Sequence, residues 1–125
     1  MSQDGEAGLL DRIAARLGTA PAGEVWAGDD AAAFPSPAAR LLCTTDAMVE
    51  SVDFDLGYCS GDDVGWKAMH VNASDVAAMG GRPTHAVVVL ALRGDTELRF
   101  IDGFLDGLTA AAASLGVALV GGDLS

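Results

Sequence analysis

The sequence predicts an α+β fold: a mixed, mainly antiparallel sheet with helices packed on one face. Three observations point there. Apolar residues recur at spacings of three and four in Glu6–Leu17 and Thr96–Leu115, the period of an amphipathic helix. His85–Leu92 is a nearly unbroken apolar run, the pattern of a buried strand. The chain has 125 residues, 50% of them hydrophobic, which is enough for one compact domain with a real core and too short for two.

Taken in order, Glu6–Leu17 is expected as a short helix with Leu9, Leu10, Ile13 and Leu17 on one side. A loop follows through Pro21 to Gly23, and Glu24–Phe34 reads as two extended pieces around the turn Gly28-Asp29-Asp30. Pro35 and Pro37 interrupt regular structure, after which Arg40–Thr45 and Met48–Phe54 are expected as strands. Asp55–Gly61 is a loop, and Asp62 or Asp63 can cap the next helix by accepting its orphan backbone donors. That helix should run to Met79, where Gly80-Gly81 and Pro83 form a stop. Beyond the apolar strand, Thr96 caps a second long helix whose apolar positions are Leu98, Ile101, Leu105, Leu108, Ala112 and Leu115. Gly116 closes it, and Val117–Val120 is a short strand leading into Gly121-Gly122-Asp123.

Aromatic residues make up only 6% of the chain, so the core must be built from Ala, Val, Leu, Ile and Met. The sixteen glycines point to tight backbone turns. A formal net charge of -11, with seven scattered Lys and Arg residues, argues against a nucleic-acid partner, which needs a basic patch. Two meanings of the acidity stay open: a solvated surface excess, or carboxylates that hold divalent cations. Cys43 and Cys59 lack metal-type spacing; Cys43 lies in an apolar run and reads as a small buried hydrophobe, in keeping with a reducing cytoplasm. Neither a signal peptide nor an apolar stretch near the ~20 residues of a membrane span is evident.

Four short acidic motifs share one design: Gly28-Asp29-Asp30, Thr44-Thr45-Asp46, Asn72-Ala73-Ser74-Asp75 and Gly121-Gly122-Asp123. Asp46 and Asp123 fall just past expected strands and Asp30 in a glycine turn, places where ligand groups gather. Asp75 sits in a helix among Val71, Val76, Ala77, Ala78 and Met79, with no Lys or Arg three or four residues away. A carboxylate in such surroundings is costly unless paired or metal-bound. Asn72 lies one turn before it on the same face. Carboxylates, Thr hydroxyls and carbonyls are hard oxygen donors suited to Mg²⁺, and several Mg²⁺ ions in one place suggest a polyphosphate. Against this stands a plain alternative: Gly-Asp-Asp is a common turn, and Asp75 could serve a helix-to-helix hydrogen bond. There is no GxxxxGK[ST] loop and no strand followed by GxGxxG, and His70 and His85 lie in apolar contexts that suit structural histidines.

In order and spacing, GDDAAAF (28–34), TTDAMVESVDF (44–54), DVGWKAMHVNASDVAAMGGRP (63–83) and LVGGD (119–123) resemble thiamine-monophosphate kinases. A looser form of the central motif is shared with aminoimidazole ribonucleotide synthetase and selenophosphate synthetase. The resemblance covers nearly all of the chain from Gly28 onward and implies the N-terminal domain of the aminoimidazole ribonucleotide synthetase-like fold, pairing with its twin in a homodimer. It implies ATP and several Mg²⁺ ions in a cleft against a C-terminal domain, with the present 125 residues being the ATP- and Mg-binding N-terminal domain, truncated before that second half. By motif, Asp30, Thr44, Thr45, Asp46, Asp75 and Asp123 would ligate metal, Asp75 bridging more than one ion; Gly122 and Asp123 would meet ATP. Asp53 stands where family members carry a substrate-contacting histidine and is carried over as the substrate-binding residue, an acid that could meet the cationic thiazolium; Phe104 and Leu105 stand near the place of a family tyrosine, whose role is not carried over.

The implied reaction is direct phosphoryl transfer from ATP to thiamine phosphate, giving thiamine diphosphate in the cytoplasm. No catalytic side chain is required, because a phosphate monoester with a second pKa of about 6 is already a nucleophile at neutral pH. A fragment that lacks the second half should turn over weakly or not at all. Two other readings are weighed. A sister ATP-dependent synthetase is one, although the reactive Cys expected of selenophosphate synthetase is missing before Asp30. A non-catalytic fragment that dimerises and binds Mg²⁺ or nucleotide is the other.

Overall fold

The computed structural model describes residues 5–36 and 40–125. Its elements are α1 (Gly5–Ala14), α2 (Gly61–Ala78), β1 (His85–Leu90), α3 (Leu98–Leu115) and β2 (Ala118–Leu124). Helix α3 and strand β1 lie where the apolar pattern puts them, and α2 lies before its glycine stop; β2 runs past the expected Val117–Val120 to Leu124, so Asp123 lies within the strand and not beyond it. The expectation of a mainly antiparallel sheet is not supported: β1 and β2 run parallel, from His85 beside Ala118 to Leu90 beside Leu124. The reason is α3, which returns the chain to the end of the sheet where β1 began, as a parallel pair requires.

Neither strand expected at Arg40–Thr45 and Met48–Phe54 forms. The first is irregular, and the second is a turn closed by Ser51 N–H to Phe54 C=O at 2.7 Å, with an isolated bridge between Glu50 and Phe54. An apolar run becomes a strand only where a neighbouring edge pairs with it, and none does so here. Cys43, expected to be buried, is exposed for the same reason. Segment 24–34 keeps its extended pieces, joined by reciprocal Val25–Ala33 hydrogen bonds of 2.8 and 2.7 Å.

The core is centred on α3. Ile101, Phe104, Leu105, Leu108, Ala111 and Ala112 are buried, and Leu9, Val64, Met69, Leu90, Val117 and Leu119 close around them. Phe104 and Ala111 belong to this face as well, each one residue before an expected position, Leu105 and Ala112. On β1, Ala86, Val88 and Leu90 pack inward, whereas Val87 and Val89 are 64% and 67% exposed, so the sheet has one covered and one open face. A bulge between the Ala86–Leu119 and Val87–Gly121 pairs inserts Val120, which leaves Leu119 and Val120 both buried in succession. Helix α1 docks through Leu9 and through Arg12 and Arg16, which reach Asp102 and Asp106 of α3 at 2.8–3.2 Å. These part-exposed ion pairs orient α1 more than they stabilise it.

A close backbone contact joins α2 to α3 through glycine. A Cβ at Gly61 or Gly65 would overlap the carbonyl oxygen of Phe100 or Phe104, and one at Gly107 would overlap the carbonyl oxygen of Asp62. Both helices thus carry glycines four apart on the facing side, Gly61/Gly65 and Gly103/Gly107, and their backbones meet there. These glycines are helical, contrary to the expectation that glycine marks turns. Substituting Gly65 with Ala should destabilise the domain by roughly 3 kcal/mol, because the obstacle is backbone and cannot swing aside; chemical denaturation checks this against Gly94→Ala, a site with open space around it.

The cap of α2 differs from the expected one. Ser60 is the N-cap, and Asp63 is its partner three residues on. Asp63 Oδ2 accepts from Ser60 N–H and Ser60 Oγ, both at 2.8 Å, while Ser60 Oγ accepts from Asp63 N–H at 3.2 Å. The other long helix starts at Glu97, not Thr96, without a side-chain cap. At their C-termini both follow the expected glycine stops: Gly80 (φ 74°) and Gly116 (φ 69°) are left-handed, with Gly81 N–H to Val76 C=O and Val117 N–H to Ala112 C=O closing the turns.

The backbone N–H of Ser60, and then its hydroxyl, hold the Asp63 carboxyl below the usual carboxylate range. Its stabilising contribution is therefore complete above the unfolded-state pKa of about 4 and is lost as the pH falls through the lower folded value. Replacing Asp63 with Asn should flatten the acid limb of a stability-versus-pH curve below about pH 4, and Ser60→Ala should cost about 1 kcal/mol at neutral pH; thermal melts from pH 2 to 7 read both.

Candidate functional site

Helix α2 presents one face to the irregular segment that precedes it, and polar side chains tie the two together. Asp75 Oδ2 accepts from the Thr44 hydroxyl at 3.1 Å. One turn earlier, Asn72 Oδ1 accepts from the Asp46 backbone N–H at 2.8 Å. The Asn72 amide also donates to the Ala68 carbonyl at 2.9 Å and reaches the Asp46 carbonyl at 3.5 Å. Two turns before Asp75, the Lys67 ammonium donates to the Asp53 carbonyl oxygen. The face shared by Asn72 and Asp75, inferred from their spacing, is the face that holds residues 44–46.

Asp75 is nonetheless exposed, which corrects the expectation of a carboxylate in costly apolar surroundings. Ala77, Ala78 and Met79 are themselves exposed, and Val71 and Val76 are only half-buried, so this end of α2 faces solvent and the carboxylate bears no burial cost. An open depression of about 400 Å³ lies beside it, lined by Leu42, Cys43, Thr44, Asp75, Val76, Ala78 and Met79. One wall is therefore apolar and the other carries a carboxylate and a hydroxyl.

The other candidate residues are less closely joined. Thr45 and Asp46 are exposed beside Thr44, with the Asp46 backbone fixed by Asn72. Asp30 is exposed in the 25–33 loop, where its backbone N–H donates to Asp29 Oδ1 at 2.9 Å. Asp123 is exposed opposite Val89 near the end of β2. Among the described residues, no three His, Cys, Asp or Glu side chains converge closely enough to hold a metal ion. Gly122 has a packing reason of its own to be glycine, since a Cβ there would overlap the Val88 carbonyl oxygen. Asp53 Oδ2 accepts from the Val49 N–H at 2.7 Å, inside a turn where Ser51 adopts φ 66°. His70 stacks on Trp66, with ring centroids 4.7 Å apart, and His85 on Phe34 at 3.8 Å, in keeping with structural roles.

Sequence reasoning passed over Lys67. The signal that could have found it is its isolation: it is the only Lys or Arg between Thr44 and Asp75, a stretch with seven carboxylates.

A helix-on-sheet domain with acidic segments pinned along one helix matches a known class. A family model described as AIR synthase related protein, N-terminal domain, covers residues 28–125, and the chain belongs to this family. Within it, the chain is similar to thiamine-monophosphate kinases. That of Rhodopirellula baltica is 36% identical over 128 residues, an alignment covering 96% of this chain and 40% of the relative. The crystal structure of thiamine-monophosphate kinase from Stenotrophomonas maltophilia K279a superimposes with a TM-score of 0.77 at 36% identity, covering 97% of this chain and 38% of that one. AaThiL complexed with AMPPCP and TMP superimposes with a TM-score of 0.53 at 38% identity, over 54% of this chain and 22% of that one. The chain thus spans about 40% of the length of the curated relatives it matches.

Replacing Asn72 with Ala removes the acceptor for the Asp46 N–H. Amide exchange at Asp46 should then accelerate roughly fivefold to tenfold, the worth of one hydrogen bond of about 1 kcal/mol; hydrogen–deuterium exchange resolved to residues 44–48 checks it.

Proposed function

We propose that this chain carries the N-terminal, metal- and nucleotide-binding domain of a thiamine-monophosphate kinase, which transfers the terminal phosphoryl group of ATP to thiamine phosphate. The main support is likeness over 97% of the chain to a solved kinase of that name, together with the pinning of the acidic segment 44–46 by Asn72 and Asp75. A related kinase binds AMPPCP, an ATP analogue, together with TMP, read here as thiamine monophosphate. The reaction belongs to thiamine diphosphate synthesis and is assigned to the cytoplasm; among the described residues no helix is long and apolar enough to cross a membrane.

The donor set fits Mg²⁺. Asp75 and Thr44 offer a carboxylate and a hydroxyl 3.1 Å apart, and Thr45 and Asp46 add hard oxygens beside them. Because Mg²⁺ keeps several waters and shares phosphate oxygens, such a set need not enclose the ion. Asp30 and Asp123 are assigned to the same ions, and Gly122 with Asp123 to the nucleotide. When bound, the metal neutralises phosphate charge during transfer. The chain's own part is positional. Asn72 fixes the backbone that carries Asp46, Asp75 orients the Thr44 hydroxyl, and the turn around Asp53 receives the acceptor. Proton abstraction is unnecessary, since the acceptor phosphate, with a second pKa of about 6, is largely dianionic at neutral pH.

The open sheet face with Val87 and Val89 is assigned to pairing with a second copy, which would bury these side chains. Replacing Val89 with Lys should yield monomers in light scattering; an unchanged dimer would move the interface elsewhere.

The central assignment is tested at Asp75. Because its side chain is exposed, Asp75→Ala should leave the melting temperature within about 2 °C of wild type, consistent with a surface substitution. Made in the full-length gene product, the same change should lower Mg²⁺-dependent formation of thiamine diphosphate at least a hundredfold and weaken AMPPCP binding. Wild-type binding of AMPPCP in the variant would remove Asp75 from the site, and no thiamine diphosphate from the full-length wild-type gene product would refute the kinase reading.

A further inference from the structure

We propose that Lys67 recognises the phosphate of the acceptor, supplying a direct cationic contact at the end of the site remote from Asp75; this rests on the kinase reading above. Three ties run along α2: Asp75 to Thr44, Asn72 to the Asp46 backbone, and Lys67 to the Asp53 carbonyl. Residues 67 and 75 are eight apart, about two helical turns, so they lie on roughly one side of the helix. The face therefore has a carboxylate at one end, suited to cation-bound polyphosphate, and an ammonium at the other.

The charge distribution makes that ammonium distinctive. Arg12, Arg16, Arg93 and Arg99 pair with Asp102, Asp106, Asp95 and Glu97, and Arg40 and Arg82 flank the stretch, so all six arginines lie outside residues 44–75. Lys67 is the only Lys or Arg within that stretch, and the structure gives it a backbone carbonyl as partner. An ammonium has three N–H donors, and the carbonyl uses one. The nearby carboxylate of Asp53 is turned to the Val49 N–H, 2.7 Å away, so it does not neutralise the ammonium by an ion pair. The same turn holds Ser51 at φ 66°, a conformation costly for a residue with a side chain and found where surrounding structure imposes it. An exposed, strongly hydrated ammonium with two unused donors, on a rigid helix and with no carboxylate paired to it, suits a small dianion better than a neutral group. It would thus separate a phosphorylated acceptor from its unphosphorylated form.

The test uses calorimetric binding of thiamine monophosphate and of thiamine to the AMPPCP- and Mg²⁺-loaded full-length gene product. Wild type should prefer the phosphorylated ligand. Lys67→Met and Lys67→Gln should each bind thiamine monophosphate at least tenfold more weakly while binding thiamine as before, and Lys67→Arg should recover most of the preference. The Gln variant keeps a donor for the Asp53 carbonyl without the charge, so wild-type preference in Lys67→Gln would reduce Lys67 to a strut and overturn the proposal. Undiminished preference in Lys67→Met would also overturn it. A wild type that binds neither ligand would instead bring down the kinase reading on which it rests. Circular-dichroism melts of all variants confirm that the fold is intact.

Discussion

The domain depends on the direct meeting of two helix backbones. Gly61 and Gly65 of α2 face Gly103 and Gly107 of α3, and at three of these positions a single added methyl group would strike a carbonyl oxygen. Side chains cannot adjust to relieve such a contact, so the approach of the helices is fixed by the residues that are missing there. Around it lies the core: Val64 and Met69 from α2, then the apolar face of α3, then the inward residues of β1 and β2. With α3 placed, the parallel pairing of β1 and β2 follows, because α3 is the connection between them.

This rigidity matters because α2 is also the template for the site. A helix whose one side is locked by backbone contact can offer the other as a ruler. Thr44, Asp46 and Asp53 are each tied to it by one side chain, in a segment that has no regular structure of its own. The acidic groups remain exposed, which suits residues that exchange water for cations and phosphate oxygens. A buried carboxylate cluster would instead have to repay a desolvation cost even without ligand. The capping box at Ser60 and Asp63 secures the beginning of this helix, close to the glycine contact.

Much of this could be read in the chain. The helical periods, the glycine stops at Gly80 and Gly116, and the shared face of Asn72 and Asp75 are local facts of spacing, and local spacing survives folding. The burial of Phe104 and Ala111 was harder to read, because the face of α3 is wider than a three-four stripe. Segment 40–54 misled for a different reason. Its residues favour strands, but strand formation is a property of pairs, and no sequence window contains its partner. The apolar neighbours of Asp75 misled similarly: apolar residues make costly surroundings for a charge only where they are buried, and Ala77, Ala78 and Met79 are exposed.

The sequence by itself determined where the two long helices stop, which side of α1 and of α3 is apolar, and which family the acidic motifs belong to. Each of these is set by interactions within a few residues or by the order of motifs along the chain. Only the tertiary structure decided that the strands run parallel, that the glycines of α2 and α3 serve a helix crossing, and that Lys67 stands over Asp53. Those depend on groups far apart in sequence coming within hydrogen-bonding or van der Waals distance, and such proximity is created by packing.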